Sequence, residues 1–300
     1  MKVAITGASG LIGSAVMDSL RSDAHETIRL VRREATADDE VQWDPIGGSV
    51  DVDGLTGIDA LIHLAGAGVG DRRWTASYKR EIRDGRVIGT RTIARAIAGL
   101  DPQPKVMVCG SAIGYYGDTG DTEVDESSPN GDGFLAGVVR DWENSAGPAR
   151  DAGIRVVYPR AGLIVAGKGG AWGRMFPLFR LGLGGRLGSG QQYWSFVSLR
   201  DEVRAIRRMI DDSSMVGPYN VTAPNAATNV DITRAMGERL HRPTFAAVPS
   251  FVLRTVLGEM SSEVLGSARV VPRRLTDAGF EFLDPTIESA LDAALAPSDS

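Results

Sequence analysis

Apolar residues in this chain switch between two periods, and the switching lays out its elements. Val3, Ala4 and Ile5 form an unbroken apolar run, as in a strand buried on both faces. Leu11, Ile12, Ala15, Val16 and Leu20 then recur at helical spacing. Further strands are predicted at Glu26–Val31, Asp59–Gly66, Lys105–Cys109 and Ile154–Pro159, with Arg160 just past the last. Long helices are predicted at Trp74–Ala98, where Ile82, Ile93 and Ile97 punctuate a charged surface, and at Phe134–Ala149. Val41–Pro45 predicts an edge strand ended by proline.

After Arg160 the strand–helix rhythm breaks. Residues 167–190 mix glycines with Trp172, Met175, Phe176, Leu178 and Phe179, which predicts a loop–helix segment over the ligand face. A strand at Tyr193–Val197, a helix at Val203–Ile210, a strand at Tyr219–Thr222 and helix-rich sequence to Leu295 come next, ending in a polar tail from Pro297 to Ser300. The fold class is α/β: a doubly wound Rossmann sheet of parallel strands, with a smaller, mostly helical C-terminal substrate region. Residues 1–165 are expected to form the nucleotide-binding domain, with 190–228 returning to it. Residues 166–189 and 229–300 are expected to make the substrate side.

Composition narrows the chemistry. At 300 residues and 43% hydrophobic the chain can bury a sizeable core, and its net charge of −5 gives no overall basic field for nucleic acid or an anionic membrane. Neither is expected as a partner. The single cysteine, Cys109, sits in an apolar run and has no internal partner, which suits a reducing compartment; with no room for a signal peptide before the first strand, a cytoplasmic location is expected. Three histidines and one cysteine, none at ligand spacing, give no support for a metal. His63, mid-strand among apolar neighbours, is expected to be a core histidine.

The candidate chemistry begins at the first strand–helix junction, Thr6-Gly7-Ala8-Ser9-Gly10-Leu11-Ile12-Gly13. Gly7 suits a tight turn, Gly10 lets backbone approach a pyrophosphate, and Gly13 suits close helix packing. The helix N-terminus presents unpaired N–H groups and a positive dipole to the anion. Past the second strand stands Arg32, where NAD-binding folds place an acidic residue for the ribose hydroxyls. Arg32 and Arg33 therefore predict NADP(H), through the 2′-phosphate. Leu64, Ala65 and Gly66, at the C-terminal end of the 59–66 strand, are expected to line the cofactor, and Ser111, Tyr115 and Tyr116 to bring hydroxyls to the catalytic edge. Arg174, Arg180 and Arg186 read either as phosphate grips for a substrate or as scattered surface charge.

The Gly-x-x-Gly-x-x-Gly spacing, with Leu64-Ala65-Gly66, Trp74, Glu81-Ile82-Arg83, Arg86, Gly114-Tyr-Tyr-Gly117, Asp125–Pro129 and Trp142-Glu143, resembles the atypical extended short-chain dehydrogenase/reductase group, in particular its epimerase-family proteins. Phe179–Gly185, Gly188–Gln191, Ala223–Asn225, Val248–Met260 and Val271–Arg274 extend the resemblance along the whole chain. It implies an NADP-binding Rossmann domain and a small-molecule substrate. It adds Glu81 and Arg86 to the cofactor residues, beside Arg160, although the two could also be an exposed helical pair. Ser111 would polarise a substrate oxygen, and a homodimer through the two long helices is suggested.

The wider superfamily uses Tyr with Lys four residues on, the Lys lowering the phenol pKa. No tyrosine here has Lys at that spacing; the match of Glu143 to the superfamily's following Glu puts Leu135 and Val139 at those positions. Two readings result: an NADP(H)-dependent oxidoreductase or epimerase acting on an alcohol, carbonyl or sugar-nucleotide-like substrate, or a catalytically silent NADPH-binding, redox-sensing scaffold. A pocket bringing Ser111 and a tyrosine hydroxyl to one substrate atom favours the first; a filled or apolar one favours the second.

Overall fold

The computed structural model describes residues 1–296, so the expected polar tail from Pro297 to Ser300 lies outside the described residues. The apolar runs become the middle of one sheet. Its spatial order is Gly217–Val221, Arg155–Ala161, Val106–Cys109, Ala60–His63, Lys2–Thr6, Glu26–Val31, Glu40–Asp44, all parallel, with Ser49–Val50 added antiparallel at one edge. Chain order reverses between Lys2–Thr6 and Ala60–His63, which opens a crevice beyond the ends of those two strands.

Period two decides which layer each strand residue joins. Val3 and Ile5 face Val16, Leu20, Ile206 and Met209, from helices Leu11–Ser22 and Leu199–Asp211. Ala4 faces the opposite layer with Leu61, Met107, Ile93, Ile97 and Trp142, under helices Ala76–Ala98 and Phe134–Ser145. Cys109 is fully buried in this layer, and burial pushes its thiol well above the ordinary range. A third core of Trp172, Phe176, Phe179, Phe196, Ile232, Met236 and Leu291 holds helices Gly170–Arg180, Asn229–Leu240 and Ile287–Leu295 together.

Several boundaries differ from the sequence pattern, each for a local reason. The 74–98 helix starts at Ala76, because Thr75 caps Tyr78 N–H at 3.2 Å and the Trp74 indole donates instead to the Val69 carbonyl. The 134–149 helix ends at Ser145 and a second short helix, Gly147–Asp151, comes after it with Pro148 in its first turn. The helix expected from Val203 begins at Leu199, capped by the Ser198 hydroxyl on Asp201 N–H. Val41–Pro45 appears as Glu40–Asp44, one place in from the edge.

The 193–197 strand breaks at Ser195, and the break stitches in the C-terminal segment. Ser195 Oγ donates to the Ala268 carbonyl and accepts from Val270 N–H, both at 2.8 Å. Asn220 Nδ2 donates to the Val271 carbonyl at 3.0 Å, and Glu126 Oε1 accepts from the N–H groups of Asn220 and Arg274. Arg269–Val270 pairs with Glu123–Val124. Residues 268–274 are thus laced into the sheet's C-terminal edge.

Glu202, in the first turn of helix Leu199–Asp211, is 1% exposed, and its Oε2 has no hydrogen-bond partner among the described residues. Burial pushes its carboxyl from 4.5 up to about 8. The folded protein therefore keeps a proton that the unfolded chain releases above about pH 4.5, so this group's contribution to stability is full below that value and is lost as pH rises through about 8. Glu202→Gln is expected to raise the melting temperature at about pH 9 more than at about pH 5. Thermal unfolding by circular dichroism at the two values checks this; equal shifts would sink it.

Candidate nucleotide and catalytic site

The crevice is built from the glycine turn outward. Gly7 has φ +72°, and a Cβ there would lie 2.8 Å from the Leu64 carbonyl carbon. A Cβ on Gly13 would lie 2.2 Å from the Gly7 carbonyl oxygen. Gly13 thus lets the helix close against the turn itself, where sequence spacing suggested packing on the strand. Gly10 N–H donates to Gly7 O, and Ser14 N–H to Gly10 O. The N–H groups of Leu11, Ile12 and Gly13 have no acceptor among the described residues, and Ser9 is exposed beside them. Free N–H groups at the start of a helix suit an anion.

Thr6 ties the turn to the neighbouring strand. Its Oγ1 accepts from Leu64 N–H and Ala65 N–H, both at 3.2 Å, which leaves its proton for His63 Nδ1 at 2.7 Å. His63 is fully buried edge-on to Trp43, and burial pushes it down to about 3. It is a neutral core residue that orients Thr6, and through Thr6 the backbone of Leu64 and Ala65.

The two arginines that sequence alone treats alike part company. Arg33 forks onto Glu40, Nη1 to Oε2 at 2.8 Å and Nη2 to Oε1 at 2.5 Å, and holds that carboxyl at about 2. Arg32 is exposed and forms no side-chain hydrogen bond or ion pair among the described residues. It stands next to Val31, the last residue of a strand neighbouring the glycine turn.

Glu81 and Arg86 are equally distinct. Glu81 is exposed and lies 3.6 Å from Arg72. Arg86 is tucked beneath the 64–67 loop, where Nη1 donates to the carbonyls of Ala67 and Ile82 and the guanidinium lies over the Trp142 ring at 5.1 Å. No carboxylate pairs with it among the described residues, and burial lowers it to about 10. A Cβ on Gly66 would sit 3.3 Å from its guanidinium carbon. Of the other arginines, Arg174 pairs with Asp71 at 2.9 Å, Arg186 donates to the carbonyls of Gly188 and Ser189, and Arg180 is exposed.

At the candidate catalytic edge Ser111 and Tyr116 join one buried network, and Tyr115 stands outside it. Ser111 Oγ donates to Glu143 Oε1 at 2.6 Å, and Arg160 grips both oxygens of Glu143 at 2.8 Å. Arg160, only 3% exposed, also donates to the Tyr116 hydroxyl, which donates in turn to Asn220 Oδ1 at 2.7 Å. Burial pushes the Tyr116 phenol up to about 12. Arg160, expected among the cofactor contacts, thus has its guanidinium engaged with Glu143 and Tyr116. Tyr115 differs: it is half-buried, its ring lies 3.5 Å from the Arg160 guanidinium, and its hydroxyl has no partner among the described residues. Leu135 packs beside Trp74, Tyr78 and Val138, and Val139 is buried, so the places of the superfamily's Tyr and Lys are apolar. The Glu143–Arg160 pair joins a helix to a strand, and no local pattern signals it.

Two family models match the chain, one described as the NAD dependent epimerase/dehydratase family over residues 3–133 and one as a domain of unknown function, DUF1731, over 248–294. An epimerase family protein of Mycobacterium leprae is 43% identical over 97% of this chain and 95% of its own. The chain belongs to the epimerase family. Among solved structures, the human epimerase family protein SDR39U1 with NADPH is similar to this epimerase-family chain at 31% identity and a TM-score of 0.91, covering 99% of this chain and 100% of that one. A nucleoside-diphosphate sugar epimerase from Corynebacterium glutamicum is 34% identical with a TM-score of 0.82; the match covers 98% of this chain and 58% of that one.

Proposed function

We propose that this epimerase-family protein is an NADP(H)-dependent oxidoreductase or epimerase acting on an alcohol, carbonyl or sugar-nucleotide-like small molecule. The observation that carries the cofactor reading is Arg32, an uncommitted guanidinium beside a cradle of three free N–H groups, while the neighbouring Arg33 is spent on Glu40. The residues present fit the dinucleotide: the N–H groups of Leu11, Ile12 and Gly13 would hold the pyrophosphate, Arg32 would meet the 2′-phosphate, and Leu64, Ala65 and Gly66 would lie along it. The NADPH named with the human relative supports the same assignment. NADP(H), when bound, supplies or accepts the hydride.

The chain's own contribution is the proton. In reduction, Tyr115 gives its phenolic proton to the carbonyl oxygen as the alcohol forms, and recovers it from water. Arg160 lies beneath the ring, 3.5 Å from its centroid, and fixes the ring's position. Ser111 has already committed its proton to Glu143, so toward substrate it acts as an acceptor and holds the alcohol form. Tyr116 and Asn220 fix Arg160 in place.

A second reading, a silent NADPH-binding scaffold, is favoured by the apolar Leu135 and Val139 and by the inward-facing Ser111 hydroxyl. Following NADPH absorbance with a panel of aldehydes, ketones and nucleotide sugars separates the two. Turnover is expected with at least one class, and Tyr115→Phe is expected to lower it about 100-fold or more while NADPH affinity holds. NADPH binding without any turnover selects the scaffold; no NADPH binding sinks both.

A further inference from the structure

Net charge hides a local reversal. Residues 152–200 contain no Asp or Glu, and of their seven basic residues Arg160, Arg174 and Arg200 pair with acids from other parts of the chain; residues 239–258 contain no Asp or Glu either. Parallel pairing of Gly185–Leu187 with Ala246–Val248 sets these two acid-free stretches side by side, and Arg242 Nε donates to the Arg180 carbonyl across the junction at 2.8 Å. At the junction the chain exposes large apolar side chains: Phe245 at 96%, Leu181 at 73% and Leu183 at 65%. Phe251, 71% exposed, stands in the first turn of the next helix.

Arg180, Arg242 and Arg254 are exposed in the same region, and none has a carboxylate partner among the described residues. Of the acids bordering the region, Glu259 pairs with Lys79, and Glu238 lies 3.8 Å from Arg239 beside Arg242 and Phe245. Unpaired arginines around protruding Leu and Phe match a surface that is anionic outside and apolar within. No helix among the described residues is long and apolar enough to cross a membrane, so such contact is peripheral.

We infer that this face docks the protein on an anionic lipid bilayer, with Leu181, Leu183 and Phe245 entering the headgroup–acyl boundary and Arg180 and Arg242 meeting lipid phosphates. A bilayer matches better than an acidic protein segment because the apolar side chains are the most exposed part of the face, Phe245 at 96%, and stand at a turn and a strand start beside the unpaired Arg180 and Arg242.

The test is co-sedimentation of the full chain with vesicles of phosphatidylglycerol and phosphatidylcholine, against vesicles of phosphatidylcholine alone. Binding is expected to the anionic vesicles and to weaken with salt. Arg180→Gln with Arg242→Gln is expected to weaken it roughly fivefold for each arginine. Leu181→Ser with Phe245→Ser is expected to weaken it at least about tenfold. All four positions are exposed, and unchanged melting temperatures by circular dichroism confirm intact folding. Absence of binding at low salt, or binding that survives both double variants, overturns the inference. So does concentration-dependent dimerisation in gel filtration that Leu181→Ser with Phe245→Ser abolishes while vesicles are ignored; the face would then cover a second copy.

Discussion

Replacing Arg32 with alanine is expected to weaken NADPH binding about 10- to 100-fold and to leave NADH binding within about twofold of its starting value, from the roughly 1.5–3 kcal/mol of a charge-assisted hydrogen bond. The asymmetry comes from what each arginine does in the free protein. Arg32 loses no internal contact when truncated, so the whole effect falls on the ligand's extra phosphate. Arg33→Ala acts differently. It takes the forked partner from Glu40, whose carboxylate keeps only Arg29 at 3.1 Å and the Thr36 N–H and hydroxyl, and disturbs the 33–40 loop for both cofactors alike. Calorimetric titration of the two variants with NADPH and NADH distinguishes these roles. If Arg32→Ala weakened both cofactors equally, or neither, the 2′-phosphate assignment would fail.

Glu143→Ala is expected to cost about 3–5 kcal/mol of stability, because it strands the buried Arg160 cation in a low-dielectric site. At about 2–4 °C per kcal/mol for a chain of this order of size, the melting temperature would fall by roughly 6–20 °C. The loss spreads along the network. Ser111 loses its acceptor, and Arg160 is freed to tilt away from Tyr116 and from the Tyr115 ring. Ser111→Ala removes one donor to the carboxylate, leaves the ion pair whole, and should cost about 1.5–3 kcal/mol. Urea unfolding of the two variants gives the comparison; similar midpoints would mean that water already solvates Arg160 and that the ion pair holds little.

The sheet was legible because parallel strands buried on both faces must be apolar throughout, and Val3–Ile5, Ala60–Ile62 and Val106–Cys109 have that pattern with almost no exceptions. The glycine turn was legible because backbone approach of this kind, 2.2 Å from a hypothetical Gly13 Cβ, admits no side chain. Pairing was not legible. Arg32 and Arg33 are identical in type and adjacent in sequence, and only the return of Glu40 on the next strand distinguishes them. Ser195 reads as the middle of a strand because nothing local announces that residues 268–270 will claim its hydroxyl. Likewise, Ser111 reads as a hydroxyl free to donate to or accept from substrate, while the helix carrying Glu143 brings it a carboxylate from 32 positions away. Local period fixes elements; partners come from assembly.

The lacing of residues 268–274 into the sheet edge bears on how this chain can be divided. The second family model begins at residue 248, which invites a cut there. Removing the chain from that point onward would take the Val270 N–H and the Ala268 carbonyl from Ser195, the Val271 carbonyl from Asn220, and the Arg274 N–H from Glu126. Asn220 also receives the Tyr116 hydroxyl, so the loss would reach Arg160 in two steps. A boundary drawn by sequence similarity here crosses these hydrogen bonds, so an engineer who grafts either part alone carries unpaired polar groups with it.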